Sequence, residues 1–146
     1  MTDAVVDDNR RRLSPTECVE LLARPVAGVF CTLRPDGSIH AVPVFYRYAQ
    51  GDLRVLAGVA DVKTRNAVRT GQATLCVEVI DGPIRNYVSV SGTVTTRQPP
   101  PPEELLALDK RYGRSDFTSG WDASDLAACI LLILKPVRWT AWSDWD

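Results

Sequence analysis

Along most of this chain apolar and polar positions alternate, and turn-forming residues interrupt the alternation at short intervals. Val26 to Leu33 is apolar and rich in β-formers, and Asp36-Gly37 after it is the strongest short hairpin signal in the sequence. The return strand, Ser38 to Tyr48, places Ile39, Ala41, Pro43 and Phe45 on one face and His40, Val42, Val44 and Tyr46 on the other. Pro43 cannot donate to a ladder, so it must lie at an edge, at a bulge or where the ladder opens. Gln50-Gly51-Asp52 turns into a third strand, Leu53 to Ala57, and Ala73 to Ile80 reads as a fourth. Past the turn Asp81-Gly82-Pro83, a fifth strand from Tyr87 to Thr96 alternates cleanly. Val88, Val90 and Val94 face one way, and Tyr87, Ser89, Ser91, Thr93 and Thr95 the other. The last strand, Ala128 to Trp142, contains Cys-Ile-Leu-Leu-Ile-Leu with no alternation, the mark of a strand buried on both faces.

Three helices interrupt these strands. Ser14 as N-cap, Pro15 at N1 and Glu17 at N3 form a capping box, with Leu13 and Cys18 spaced as a hydrophobic staple. That helix carries Leu21 and Leu22 inward and stops before Pro25. A short helix over Val62 to Thr70 has a poor apolar stripe and is closed by Gly71. The third opens at Pro102, carries Glu103 and Glu104 in its first turn, aligns Leu105, Leu108 and Tyr112, and ends at Gly113. Residues 1–12 are expected to be a disordered tail and 114–125 a loop. Six strands joined mostly by tight turns predict a mainly β protein, with residues 13–146 forming one small antiparallel barrel with short peripheral helices. The doubly apolar last strand then calls for a covering surface outside the barrel, which a homodimer would supply.

Composition narrows the function. The 146 residues carry 17 basic and 18 acidic side chains, a formal net charge of −1, so the basic footprint of a nucleic-acid or anionic-membrane binder is missing. No apolar run is long enough to span a bilayer. MTDAVVDDNRRR lacks the apolar core of a signal peptide, so a cytoplasmic location is expected. The widely spaced Cys18, Cys31, Cys76 and Cys129 read as reduced thiols in apolar settings, and no metal-ligand spacing occurs. His40 is the one histidine and reads as a satisfied strand residue; no GxSxG, GxGxxG or Walker loop accompanies it.

The segment from Gly58 to Asn66 is the most informative for chemistry. Lys63 and Arg65 fall in the first turn of a helix, where the macrodipole disfavours cations. They make sense there beside an anion that shares the free backbone N–H groups, although spacing alone favours a pair of solvated surface charges on a poor helix. Arg85 and Tyr87 follow a turn and are candidates for contact with an anionic or aromatic ligand; a polar outer barrel face would also account for them. Trp121, Trp139, Trp142 and Trp145 crowd the C-terminal end, where packing explains most of them and one is free to stack on a flat ring.

Arg34-Pro-Asp-Gly-Ser-Ile-His-Ala-Val-Pro-Val-Phe45, followed by Lys63-Thr-Arg-Asn66 at the head of a short helix, resembles the pyridoxamine 5′-phosphate oxidase-like, FMN-binding split β-barrel superfamily. The helix Glu103–Tyr112 and the closing Val137-Arg-Trp139 fit as well, and the resemblance runs from Ser14 to Trp142. Within the superfamily it is most similar to the branch using the deazaflavin coenzyme F420. The resemblance implies a six-stranded, Greek-key split barrel, a homodimer with cofactor sites at its interface, and hydride transfer between reduced F420 and a conjugated or quinone-like small molecule. Lys63, Arg65 and Asn66 would meet the cofactor phosphate. The backbone at Ala41, Val42, Pro43 and Val44, and at Leu56, Ala57 and Gly58, would lie along the ring and ribityl chain. Arg85, Tyr87 or Trp142 of the second protomer would close the pocket. Relatives carry a basic residue ahead of the lysine where this chain has Asp61 and Val62; Asp61 is placed to cap the helix instead. Two alternatives remain on the same fold: an FMN-dependent oxidase or reductase, and a non-catalytic flavin-, deazaflavin- or tetrapyrrole-binding protein. No catalytic side chain is assigned, since the ring of such a cofactor carries the redox chemistry itself.

Overall fold

The computed structural model describes residues 10–114, 118 and 120–144. Its elements in chain order are β1 (Arg11–Arg12), α1 (Pro15–Leu22), β2 (Gly28–Leu33), β3 (Ile39–Val44), β4 (Arg47–Ala49), β5 (Asp52–Gly58) and α2 (Val62–Thr70). There follow β6 (Gln72–Asp81), β7 (Ile84–Arg97), α3 (Pro102–Arg111), α4 (Ala123–Ala127) and β8 (Cys129–Asp144). All pairings are antiparallel, in the order β3-β2-β6-β7-β8-β5-β4, with β1 added on β8. β3 and β4 end this path on opposite sides, yet only Phe45 and Tyr46 separate them in sequence. Three Cα–Cα steps span at most about 11 Å, so the two edges must come together and the sheet rolls into a barrel split at this corner.

Local signals place most elements. Ser14 caps α1 with the reciprocal Glu17 bond, and Leu13 and Cys18 are both buried in the core. The Arg11 guanidinium, bonded to both Glu17 oxygens, and the Ser14 bonds draw the Glu17 carboxyl down to about 2. Asp36-Gly37 turns the β2–β3 hairpin with Gly37 at φ 85°, and Gly71 closes α2 in the left-handed region at φ 70°. The core combines Phe30, Tyr46, Leu53, Val55, Leu75, Val77, Val88, Val90, Leu132 and Leu134 with Leu21 and Leu22 of α1.

Three expectations are corrected. The strand read over Ser38–Tyr48 is two strands, because Phe45 and Tyr46 leave the ladder to meet α3. Phe45 stacks on Tyr112 with ring centroids 4.2 Å apart, and the Tyr46 N–H donates to the Tyr112 hydroxyl at 3.1 Å. With β1 this makes eight strands rather than six. Arg11 and Arg12 of the expected tail pair with Ser143 and Trp142, while the remainder of that tail up to residue 9 lies outside the described residues. The expected 114–125 loop contains the start of α4, held by a reciprocal Asp122–Asp125 capping box. Leu131 is completely buried within the single chain.

Pro43 sits on β3, an edge strand paired only with β2, as its missing N–H requires. No helix among the described residues is long and apolar enough to cross a membrane.

Candidate functional site

The corner where β3 gives way to β4 is also where β5 ends and α2 begins. Pro43, Val44, Phe45, Leu56 and Lys63 line one side of a cavity of about 290 Å³ there, and Leu108, Asp109 and Tyr112 of α3, with Arg114 and Thr118, line the other. The Arg114 guanidinium lies 4.5 Å from the Phe45 ring centroid. Asp109 is buried and engaged, its Oδ2 accepting from the Thr118 N–H at 3.0 Å and from the Thr118 hydroxyl at 2.5 Å. The cavity thus has an apolar and aromatic wall with cationic side chains at its margin.

Lys63 is placed by the turn into α2. Gly58 ends β5, and its N–H donates to Asp61 Oδ2 at 2.8 Å; Lys63 Nζ donates to the same oxygen at 2.8 Å. Asp61 occupies the N-cap position, but its side chain accepts no capping bond from the backbone of α2, contrary to the capping role its position predicts. Its carboxylate folds back onto Gly58, where a Cβ would lie 2.7 Å from Asp61 Oδ1. The Lys63 hydrogen bond, and then the Gly58 N–H, hold the Asp61 carboxyl below its ordinary value against the opposing effect of partial burial. The carboxylate therefore bridges the Lys63 ammonium and the Gly58 backbone N–H, a donor pair suited to an anion.

The twelve residues read from sequence as cofactor contacts divide clearly. Pro43, Val44, Leu56 and Lys63 come together in this cavity. Gly58 adjoins it through Asp61, and Ala57 lies in the core with its side chain turned inward. Val42 packs partly buried against the core, whereas Ala41 faces outward on the same side as Pro43. Arg65 is exposed and makes no ion pair among the described residues. Asn66 turns away from Lys63 and is buried, its Nδ2 donating to Thr32 Oγ1 at 3.1 Å and its Oδ1 accepting from Arg69 at 3.1 Å. Lys63, Arg65 and Asn66 thus meet three different surroundings: Arg65, two positions from Lys63, faces solvent, and Asn66 is held by Thr32 and Arg69 instead of joining Lys63.

Arg85 and Tyr87 lie far along the sheet. Gly58 pairs with Cys129 at the start of the 16-residue β8, and Arg85 pairs with Asp144 at its end. The Arg85 guanidinium is bonded to the Asp144 carboxylate, which raises its pKa further, and Tyr87 pairs with Trp142. Within one chain neither residue reaches the Lys63 cavity. His40 faces inward beside Val42, and its Nδ1 is buried with no hydrogen-bond partner, unlike the satisfied histidine its setting predicts. Burial pushes the Cys18, Cys31, Cys76 and Cys129 thiols up, which favours their neutral form. Trp145 lies outside the described residues.

The α3 wall was not legible in the pattern of the chain. Phe45 reads as one more alternating strand residue, and only its stack on Tyr112 brings α3 over the cavity.

The sequence matches no family model and no curated protein. Solved structures do match. An F420 reductase, 24% identical, aligns over 87% of this chain and 98% of its own with a TM-score of 0.71. An FAD- and heme-binding protein from Mycobacterium smegmatis, 17% identical, aligns over 95% and 74% with a TM-score of 0.77. A pyridoxamine 5′-phosphate oxidase-like protein from Corynebacterium glutamicum, 14% identical, aligns over 95% and 96% with a TM-score of 0.63. The fold is the split β-barrel of the pyridoxamine 5′-phosphate oxidase-like proteins. At these identities the likeness establishes that fold alone.

Proposed function

We propose that this chain is an oxidoreductase that holds a flavin-type cofactor at the β3–β4 corner and serves hydride transfer between reduced F420 and a conjugated or quinone-like small molecule. The observation that carries this reading is the convergence of Pro43, Val44, Leu56 and Lys63 on one cavity with an apolar wall. A bound flavin or deazaflavin supplies the hydride chemistry in its own ring. The chain's residues have the binding work: Lys63 and the Gly58 N–H, now bridged by Asp61, are donors for a phosphate, and Pro43, Val44, Phe45 and Leu56 offer apolar surface to a ring.

The cavity's volume of about 290 Å³ lies at the small end of what small-molecule sites usually offer, about 300–1,000 Å³. A second copy is the proposed completion, as a homodimer in which Arg85, Tyr87 or Trp142 of the partner closes the pocket. The exposed outer face bearing Val29, Leu33, Ile39 and Val137 supports such an association, since Ile39 and Val137 are 67% and 74% exposed.

Tryptophan-fluorescence titration with F420 and FMN in parallel tests the reading. Preferential, saturable quenching by F420, followed by turnover with quinones or enones, is expected. Preference for FMN moves the protein to a flavin-dependent reaction, and binding without turnover makes it a binding protein. Binding of neither overturns the proposal and leaves the fold.

A further inference from the structure

A second opening in the barrel lies away from the Lys63 cavity and shares no lining residue with it. The β7–β8 ladder that leads into it is irregular at Gly92. The β7–β8 register runs Val90↔Trp139 and Ser91↔Arg138 on one side and Gly92↔Pro136 on the other, so Val137 is an extra residue in β8. Ahead of the bulge Ile130, Leu132 and Leu134 face the core; beyond it the inward positions become Trp139 and Ala141. Trp139 is nevertheless 40% exposed.

The cause is a missing neighbour. On the flank of β8 opposite β7, β5 pairs only as far as Leu134, and β1 begins at Trp142. Between them β8 has no strand partner among the described residues. The slit left there is bounded by Leu13, Pro15, Cys18 and Val19 on one lip and Tyr48 on the other, enclosing about 580 Å³. Trp139 meets Tyr48 edge-on, with centroids 6.2 Å apart and planes at 81°. At the mouth, the Arg12 and Arg10 guanidinium carbons lie 5.2 and 5.9 Å from the Trp142 ring centroid. Neither guanidinium has a carboxylate partner among the described residues.

We propose that this slit is a binding site for a flat conjugated anion, with its rings between Trp139, Tyr48 and the α1 lip and its acidic group at Arg12. The volume lies within the range of small-molecule pockets, and the apolar walls with a few convergent polar groups match their usual lining. Aromatic side chains set edge-on favour a planar guest. The Arg12 cation at the rim, without a carboxylate partner among the described residues, selects an anion over a neutral ring, and a guanidinium suits a carboxylate or sulfonate better than an ammonium would. Within one chain this site shares no lining residue with the Lys63 cavity, although Trp142 at its mouth is among the residues proposed to close the cofactor pocket of a second copy.

The test uses the full-length protein and two probes that differ in charge, 1-anilinonaphthalene-8-sulfonate and the neutral N-phenyl-1-naphthylamine, followed by fluorescence and calorimetry. One saturable sulfonate site per chain is expected. Arg12→Gln should weaken the sulfonate by about tenfold and leave the neutral probe unchanged. Trp139→Ala should weaken both probes by about tenfold or more. Because Trp139→Ala removes a large side chain, Val19→Trp serves as a second variant that fills the slit without opening a hole, and it should block both probes. Lys63→Ala should alter neither probe while weakening FMN or F420, which separates failure here from failure of the cofactor reading. Sulfonate binding indifferent to Arg12→Gln and Val19→Trp overturns the site. So does binding that appears only after deletion of residues 2–9, which would make the chain's own N-terminal segment the occupant.

Discussion

Asp61 and Lys63 share a hydrogen bond of 2.8 Å, and the same Asp61 oxygen accepts the Gly58 N–H at 2.8 Å. The carboxylate thus sits where an incoming anion would find its donors, and the two must compete. Lys63→Ala is expected to weaken FMN or F420 binding by about tenfold or more, the loss of one charge-assisted contact, with little change in melting temperature. Asp61→Asn should act in the opposite sense and tighten binding several-fold, because it removes the competing charge. Titration calorimetry on both variants checks this; unchanged affinity in Lys63→Ala places the phosphate elsewhere.

α3 is clamped to the barrel by an ion pair that carries its own pH signature. Glu104, whose side chain is 3% exposed, accepts from Arg47 at 2.5 Å and is also bonded to Arg54. Burial alone would raise its pKa, but the hydrogen bonds and charges of Arg47 and Arg54 outweigh that and hold it below the ordinary 4.5. A depressed folded-state pKa stabilises above the unfolded value and is lost as pH falls through the folded one. Stability should therefore be constant with respect to this group above pH 4.5 and decline below it, and Glu104→Gln should flatten that decline. Glu104→Ala leaves two guanidinium groups without their carboxylate and is expected to cost about 3–5 kcal/mol in urea unfolding at neutral pH.

Such pairings also mark where the sequence stops being readable. Local devices are visible in it: the Ser14–Glu17 box, the Asp36-Gly37 turn, Pro102 opening α3 and Gly71 closing α2 each depend on residues within a few positions of one another. Asp122 and Asp125 carry the same kind of signal, although Asp at N3 is a weaker cue than Glu or Gln. The break at Phe45–Tyr46 is different, since its cause, Tyr112, lies 66 residues away in sequence from Tyr46. The candidate site divides the same way. Lys63 was legible from its place in the first turn of α2 and Pro43 from its missing N–H, Val44 and Leu56 came only with the family resemblance, and Arg114 and the α3 wall depend on that distant stack.

Gly92 marks the closest approach of β7 to β8. A Cβ there would lie 1.8 Å from the Lys135 carbonyl oxygen and 3.1 Å from the Val137 nitrogen, both backbone atoms of the bulge. Only movement of one strand relieves such a contact, so Gly92→Ala should destabilise by at least about 3 kcal/mol. Gly120 is exposed, and a Cβ there would meet nothing within 4 Å, which makes it the matched control. Gly120→Ala should stay within about 0.5 kcal/mol of the parent. Equal stabilities for the two variants by urea unfolding would refute the role given to the bulge.

Arg111 joins α3 to the end of α1. Its Nη2 donates to the carbonyls of Leu22 at 2.8 Å and Arg24 at 2.6 Å, and its Nη1 to that of Ala23 at 3.2 Å. These are carbonyls at the helix C-terminus, which have no partner inside the helix and carry the negative end of its dipole. The same guanidinium lies 4.9 Å from the Tyr46 ring centroid and 5.3 Å from that of Tyr112. Burial pushes the Tyr46 hydroxyl up to about 12, so it stays protonated and donates to the Leu22 carbonyl as well. Arg111→Met keeps the apolar stem and removes the donors, and is expected to cost about 2–4 kcal/mol, from several charged hydrogen bonds and two cation–π contacts. Arg111→Lys restores the charge without the planar fork and should recover less than half of the loss. Urea unfolding measures the cost, and hydrogen exchange locates it. Faster exchange at the Ala23 and Arg24 amides, which bond back to Val19 and Leu21, is the signature of a lost helix cap. A uniform acceleration across the barrel, with no excess at those two amides, would mean that Arg111 stabilises the fold through α3 rather than through the end of α1.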